Sequence, residues 1–274
     1  MGAIQDVVII KPISIPKWLN KTLGLIPYLY LSLAVLFAAT GTDFIICRYD
    51  PFVGIFRMDA KFHMVVLGVS FLLMGMFVAR PYCRFFCPYG VLLSWMSRFS
   101  KWHMTITPSK CIQCKLCANS CPFDAIDYPT NEKEVLKSGL GPKKFLTYAL
   151  VIPLWIAAGV FVGNRSHTFL SKANPDVFLA ELLISKPEIK NDKDNVDVQT
   201  FLSSGKTLET LVSEAEIIRH KFYYGSMMAG GFMGLVIGMT LLNTVVFRKR
   251  QDYEPNKSNC LSCTRCMDFC PVEK

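Results

Sequence analysis

The sequence predicts an all-α membrane protein with four transmembrane helices, and three observations support this fold class. Hydrophobic residues make up 51% of the 274 residues, and the mean hydropathy of +0.32 is high for a soluble domain of this length. Four stretches without charged residues approach or exceed the roughly 20 residues that a helix needs to cross a bilayer. They cover residues 22–41, 62–79, 145–164 and 222–247. Finally, most Lys and Arg residues lie in the segments that four membrane-spanning helices would place on the same side of the membrane.

The charge distribution predicts the orientation of the four helices. Residues 80–144 carry ten Lys and Arg against four Asp and Glu, and residues 1–21 and 248–274 each have a net charge of +2. The intervening segments, 42–61 and 165–221, have net charges of 0 and −1. Because Lys and Arg near membrane ends mark the cytoplasmic side, both termini and residues 80–144 are expected in the cytoplasm. Topology thereby explains the net charge of +9, and nucleic-acid binding is not expected.

Eight of the eleven cysteines form two runs with the same spacing, C-x2-C-x2-C-x3-C-P. One runs from Cys111 to Pro122 and the other from Cys260 to Pro271. Three thiolates on a short loop reach three irons of one cube, whereas the fourth, before the proline, turns away and binds the other cluster. This spacing is typical of [4Fe–4S] clusters in bacterial ferredoxins. Zinc sites usually have two separated CxxC pairs, and disulfides are rare in the cytoplasm.

The two runs therefore predict a cytoplasmic ferredoxin module with two [4Fe–4S] clusters, assembled from two separated segments of the chain. The first predicted cluster has the ligands Cys111, Cys114, Cys117 and Cys270, and the second has Cys260, Cys263, Cys266 and Cys121. This pairing requires the C-terminus to fold back on the middle of the chain.

The predicted organisation has seven segments. Residues 1–21 form an amphipathic lead, and residues 22–100 contain transmembrane helices one and two with a C-x3-C-P element. The first ferredoxin half (101–144), helix three (145–165), an outer loop (166–221), helix four (222–247) and the second ferredoxin half (248–274) follow. Gly230, Gly234 and Gly238 predict close packing of helix four against a neighbouring helix.

Three cysteines lie outside the two runs. Cys83 and Cys87 are four residues apart and would share one face of a helix, where they form either a redox or metal site or a pair of buried thiols. Two ligands cannot close a metal site unaided. Cys47 is expected near the outer face as a small buried residue.

Two further motifs have ordinary interpretations. Residues 204–207 read Ser-Gly-Lys-Thr, but Thr200 stands where a phosphate loop needs glycine, so a turn and a helix N-cap are predicted. Three histidines near the predicted outer helix ends could ligate a haem or a metal, although the chain has no CxxCH motif; these are His63, His167 and His220.

The chain resembles the membrane polyferredoxins of the NosR/NapH type. The resemblance rests on the four hydrophobic stretches, on residues 47–52 (CRYDPF), on residues 80–90 (RPYCRFFCPYG) and on the ferredoxin run that follows. It implies a multi-pass electron-transfer component of the bacterial inner membrane in anaerobic respiration. The NosR branch is tied to nitrous oxide reductase, and the NapH branch to periplasmic nitrate reductase. Residues 47–52 look closer to NosR, but its N-terminal periplasmic flavin domain has no counterpart in these 274 residues.

The expected function is electron relay between a quinol or cytoplasmic donor and a partner at the outer face. Because the hydrocarbon core is about 30 Å thick, clusters on one side need a bridge, such as a quinol or a flavin- or haem-bearing partner subunit. The alternative is a membrane redox sensor or maturation factor for a periplasmic metalloenzyme. A thiol–disulfide exchanger based on Cys83 and Cys87 is a third hypothesis.

Overall fold

The computed structural model is mostly helical. It describes residues 16–42, 50–56, 58, 62–78, 81–102, 104–106, 111–121, 125–130, 142–185, 196–203, 205, 207–245, 250–257, 259, 260, 262 and 264–272. The helices are α1 (Lys17–Leu23), α2 (Ile26–Thr40), α3 (Pro51–Phe56), α4 (Phe62–Phe77), α5 (Pro81–Phe85), α6 (Pro88–Phe99), α7 (Leu116–Ser120), α8 (Pro142–Ser171), α9 (Pro175–Ser185), α10 (Val196–Ser203), α11 (Leu208–Val245) and α12 (Arg265–Asp268). Two short strands, β1 (Ile126–Asp127) and β2 (Glu254–Pro255), pair antiparallel.

Two helical stretches in the described part of the chain are long and apolar enough to cross a membrane. They are Trp18–Thr40 and Leu208–Asn243. The apolar helix α4 has 16 residues and is about 24 Å long, which is shorter than the hydrocarbon core of about 30 Å. The predicted span 145–164 lies within the 30-residue α8, several of whose N-terminal side chains are outside the described residues. Membrane association is thus supported, whereas four spans and their orientation remain predictions.

The chain divides into two compact units. One contains residues 1–31, 51–149 and 240–274, and therefore both cysteine runs. The other contains residues 32–50 and 150–239. The first will be called the cysteine unit and the second the helical unit.

In the helical unit, α8 and α11 approach each other so closely that their glycines are required. A Cβ on Gly159 would come within 2.2 Å of the Gly230 carbonyl oxygen, and one on Gly234 within 2.2 Å of the Trp155 carbonyl oxygen. The predicted close packing at Gly230 and Gly234 is therefore confirmed. A Cβ on Gly238 would meet only ordinary contacts with Ile152, the nearest at 3.4 Å.

The segment between α8 and α11, within the outer loop predicted for residues 166–221, contains further helices. Helices α9, α10 and the start of α11 enclose an apolar core that includes Val177, Val198 and Leu211. Helix α11 begins at Leu208 instead of near residue 222, and its 38 residues span about 57 Å. The Thr207 hydroxyl accepts a hydrogen bond from the Thr210 N–H at 3.4 Å, so residue 207 caps α11 as predicted.

In the cysteine unit, α3 packs along α4. The Phe52 ring lies 4.9 Å from the Tyr82 ring, edge to face, and Ile55 lies against Gly68. Tyr82 follows the C-terminal end of α4, whereas the charge distribution predicts residues 42–61 on the outer side, at the N-terminal end of this helix. Helix α3 therefore packs between the middle of α4 and the segment after its C-terminal end, because Pro51, Phe52 and Ile55 bury apolar surface there. Cys47 lies outside the described residues.

Candidate iron–sulfur site

The two cysteine loops have the same unusual backbone. Gln113 and Lys115, on either side of Cys114, have φ values of 53° and 66°. Ser262 and Thr264 occupy the equivalent positions of the second run and have φ values of 50° and 61°. Left-handed residues that alternate with ordinary ones turn backbone N–H groups toward one side, a geometry that favours anionic groups such as iron–sulfur clusters. The first loop thus has the backbone expected for wrapping an anionic cube, and the described residues Ser262 and Thr264 of the second loop match it.

The end of the chain is tied to the first loop by backbone hydrogen bonds. Strand β1 pairs with β2, and the Asn256 N–H donates to the Ala125 carbonyl at 2.6 Å. Arg250 and Thr130 exchange two hydrogen bonds of 3.0 Å. The Arg250 guanidinium also forms an ion pair with Asp127 at 2.7 Å. These contacts bring the second cysteine run to the first.

One cavity brings together all four predicted ligands of the first cluster and one predicted ligand of the second. It has a volume of about 280 Å³, and its wall includes Cys111, Cys114, Cys117, Cys266 and Cys270. Four of these are the ligands predicted for the first cluster, and Cys270 comes from the opposite end of the module. The donor set, four thiols around one cavity, fits a [4Fe–4S] cluster.

The second predicted ligand set is seen in part. Cys121 and Cys266 both pack against the core formed by Ala118, Ile126 and Tyr253. Cys260 lines a neighbouring cavity of about 310 Å³, and Cys263 lies outside the described residues. The Ala125 N–H donates to the Cys121 sulfur at 3.4 Å. Such a bond stabilises a thiolate.

The thiols are separate in the structure. No disulfide joins any of the nine described cysteines. No group of three or more described His, Cys, Asp or Glu side chains is gathered as tightly as a single metal ion requires. Thiolates at the corners of a four-iron cube lie farther apart than thiolates around one ion.

Burial controls the electrostatics of the cavity. It raises the pKa of the Cys117 thiol above its ordinary value, and the neighbouring Cys111 and Cys114 add to the rise. Tyr253 also lines the cavity, is 3% exposed, and packs edge to face on Tyr128 at 5.6 Å. Burial raises the pKa of its phenol as well. Because iron binds the thiolate, cluster insertion must release the Cys117 proton.

The prediction that Cys83 and Cys87 share one helix face is wrong. Cys83 lies exposed in α5, whereas Cys87 is half-buried and precedes α6 in an extended conformation (φ −71°, ψ 116°). The cause is Pro88 at the first position of α6, because a proline disfavours helical geometry in the residue before it. The two thiols therefore lie on either side of a helix break, and a metal or redox site there remains a hypothesis.

The three histidines proposed as haem or metal ligands have separate surroundings. His167 packs edge to face on Tyr223 at 5.2 Å, and His220 packs on Tyr224 at 4.9 Å, both in the helical unit. His63 is an exposed residue of α4, in the cysteine unit. A haem or metal site at any of these three residues remains a prediction.

Some site features were not predicted from the sequence. Tyr253 has no motif to mark it, although it comes seven residues before Cys260. The left-handed residues have ordinary side chains, and only their positions inside the two runs could have signalled them.

Comparison with known proteins supports iron–sulfur chemistry. Residues 104–127 match the Fer4 family, residues 61–107 the Fer4_5 family, and residues 257–273 the Fer4_4 family, each described as a 4Fe-4S binding domain. Cys83 and Cys87 lie inside the second match. These matches indicate iron–sulfur clusters in this chain.

Three curated proteins share parts of the sequence. "Putative electron transport protein YccM" of Escherichia coli is 31% identical over 39% of this chain and 33% of its own length. The uncharacterized protein MJ0749 of Methanocaldococcus jannaschii is 40% identical over 21% of this chain and 24% of its own. Protein NirI of Paracoccus denitrificans is 27% identical over 43% of this chain and 18% of its own. The chain thus spans a third or less of these relatives. No solved structure matches it.

Proposed function

We propose that this chain is a membrane-bound iron–sulfur subunit that relays electrons between a quinol or cytoplasmic donor and a redox partner at the outer face of the bacterial inner membrane. The observation that carries the proposal is the cavity where Cys270 lies with Cys111, Cys114 and Cys117. The 4Fe-4S matches and the similarity to YccM support an electron-transfer role. The setting proposed from the resemblance is anaerobic respiration linked to nitrous oxide reduction.

The proposed ligands follow the two runs. The first cluster takes Cys111, Cys114, Cys117 and Cys270, and the second takes Cys260, Cys263, Cys266 and Cys121. When bound, each cluster accepts and releases one electron.

The chain's own residues prepare the site for this chemistry. The N–H of Ala125 stabilises negative charge on the Cys121 sulfur. The buried Ile126 and Tyr253 exclude water beside the cysteines, and such burial is one of the factors that set a cluster's potential.

A partner subunit is part of the proposal. With both clusters on the cytoplasmic side, as the charge distribution predicts, electrons must cross a hydrocarbon core of about 30 Å. A flavin- or haem-bearing partner or a membrane quinone would provide this bridge. If Cys83 and Cys87 held a further redox site, this site would pass electrons between the clusters and such a partner.

Iron analysis with cysteine variants tests the cluster assignment. The anaerobically purified protein is expected to contain about eight irons and to show the EPR signals of spin-coupled reduced cubes. Because Cys111 and Cys270 are assigned to one cluster, C111A/C270A should lose no more iron than C111A alone. C111A/C121A should lose both clusters. Cys47→Ala, which changes a cysteine outside both runs and outside the three 4Fe-4S matches, is the matched control and should keep about eight irons. Iron in C111A/C121A equal to or greater than that in C111A/C270A would refute the crossed ligation, and four irons in the unaltered protein would refute the second cluster.

Electron transfer to a lipid-soluble acceptor tests the relay itself. Reduced protein in lipid nanodiscs is expected to pass its electrons to a short-chain quinone within milliseconds to seconds, which stopped-flow absorbance measures. A sensor would leave the quinone oxidised, and that result would contradict the proposed relay.

A further inference from the structure

The predicted cluster ligands lie at the surface of the cysteine unit. Cys114 and Cys270, in the wall of the 280 Å³ cavity, are exposed. Cys260, in the wall of the 310 Å³ cavity, is partly exposed. The two cavities adjoin, because Met104 lines both of them. Electrons could therefore enter or leave directly through this surface.

The charges that line this surface have one sign. Lys115 lines the first cavity and Lys257 the second, and no described Asp or Glu lines either of them. The carboxylates of Asp127 and Glu254 face Arg250 instead, at 2.7 and 3.8 Å. The exposed Asp268 lies in α12 and lines neither cavity. The described charged side chains in the walls of the two cavities are therefore both positive.

Exposed apolar side chains accompany the lysines. Ile112 is 65% exposed and Met267 is 41% exposed, and both line the first cavity. An apolar centre with a charged rim is the usual anatomy of a protein interface. Electron-transfer encounters use small interfaces of this kind and are steered by opposite charge. The surface made by Met104, Ile112, Lys115, Lys257 and Met267 will be called the carrier face.

We propose that the carrier face docks a small acidic one-electron carrier protein, such as a flavodoxin, that donates electrons to the clusters. This inference rests on the proposed function and names its donor. In each encounter the carrier's flavin hydroquinone loses one electron and becomes the semiquinone, while one cluster goes from the 2+ to the 1+ state. The lysines attract the acidic carrier, and Ile112 and Met267 exclude water from the contact.

A competing explanation is that the lysines only balance the negative charge of the clusters. In that case their removal would change cluster potentials and would alter the rate with every reductant in the same direction. Steering by opposite charge instead affects an acidic reductant and depends on ionic strength.

Stopped-flow reduction of the cluster-loaded full chain in nanodiscs tests the proposal. The two reductants are a purified acidic flavodoxin in its hydroquinone form and the methyl viologen radical cation. At low ionic strength, K115E/K257E should be reduced by flavodoxin at least about tenfold more slowly than the unaltered protein, and salt should diminish this difference. Reduction by methyl viologen should not slow. Lys221→Glu, an exposed lysine of the helical unit, is the matched control and should keep the original rates.

The possible results separate the two levels of inference. Equal slowing with methyl viologen, equal slowing in Lys221→Glu, or a flavodoxin rate independent of salt would overturn the carrier face. Reduction of the clusters by methyl viologen without any reaction with flavodoxin would overturn it while leaving the proposed function intact. Clusters that neither reductant reduces would contradict the proposed function. If K115E/K257E binds less iron, K115Q/K257Q with full iron content replaces it and should slow in the same direction.

Discussion

Replacing Thr264 with glycine is expected to stabilise the cysteine module. Thr264 precedes α12 with a φ of 61°, in the left-handed region. For L-residues this region brings Cβ against the following carbonyl oxygen, and a β-branched side chain makes the conflict worse. Glycine has no Cβ and adopts the same backbone without this cost.

The expected magnitude is the difference between two opposing contributions. Removing the left-handed strain yields about 1–2 kcal/mol. Glycine loses about 0.5–1 kcal/mol more backbone entropy on folding. The net stabilisation is therefore about 0.5–1 kcal/mol, which corresponds to a roughly two- to fivefold change in an equilibrium or a rate.

The measurement is the rate at which visible cluster absorbance disappears when the anaerobic protein is warmed or treated with guanidinium. Thr264→Gly should lose its clusters about two to five times more slowly than the unaltered protein. Thr105→Gly is the control, because Thr105 is exposed and its φ is not positive. It should lose them at the same rate or faster, because it adds entropy without relieving strain. Faster loss in Thr264→Gly than in Thr105→Gly would refute the strain argument.

Two predictions concern the helical unit. A hydrogen bond from Lys172 lowers the pKa of Glu181, and Arg219 adds to the effect. Because the folded pKa is the lower one, the Lys172–Glu181 pair stabilises α9 fully at pH values above the unfolded pKa of Glu181. This stabilisation is lost as the pH falls through the folded pKa. Glu181→Gln should make the stability of α9 less dependent on pH in the acidic range, as measured by amide hydrogen exchange in α9 corrected for intrinsic rates. An unchanged pH profile would contradict the role of the Lys172–Glu181 pair. Gly159→Ala should lower the thermal midpoint much more than Gly225→Ala, because the first meets backbone and the second meets only the flexible Leu36 side chain. Equal effects would contradict the observed close approach of α8 and α11.

The helices could be predicted from the sequence where one apolar pattern persisted. The existence of α10 could not be predicted, because Val198 follows a polar segment and becomes an apolar-core residue only when the neighbouring helices meet. The start of α11 after residue 207 had a local N-cap signal, but nothing local indicated that this helix continues unbroken into the fourth apolar stretch. The path of α3 along α4 has the same cause: Phe52 has no local signal that its partner is Tyr82. Charge counts and hydropathy report where a chain enters the membrane, and they do not report contacts made within it.

The cysteine spacing, in contrast, carried the chemistry of the site because ligation by a cube restricts the loop to few lengths. Cys87 shows the limit of such reasoning. A spacing of four residues predicts one helix face, but Pro88 ends that helix before the second thiol. The effect of a proline on the residue before it could be read from the sequence, and it overrides the helical periodicity at Cys87.

The two halves of the module cannot be stable apart. Helix α7 has five residues, α12 has four, and each strand has two, all below the length at which such elements persist alone. Each half stabilises the other. Residues of both halves form the β1–β2 pair, the Arg250–Asp127 ion pair and the small core around Tyr253. Crossed ligation would add iron–sulfur bonds between the halves, so that cluster binding contributes directly to folding. Since the second half follows α11 in the chain, the module can close only after this long helix has been made. Cluster insertion should therefore be the last step of assembly.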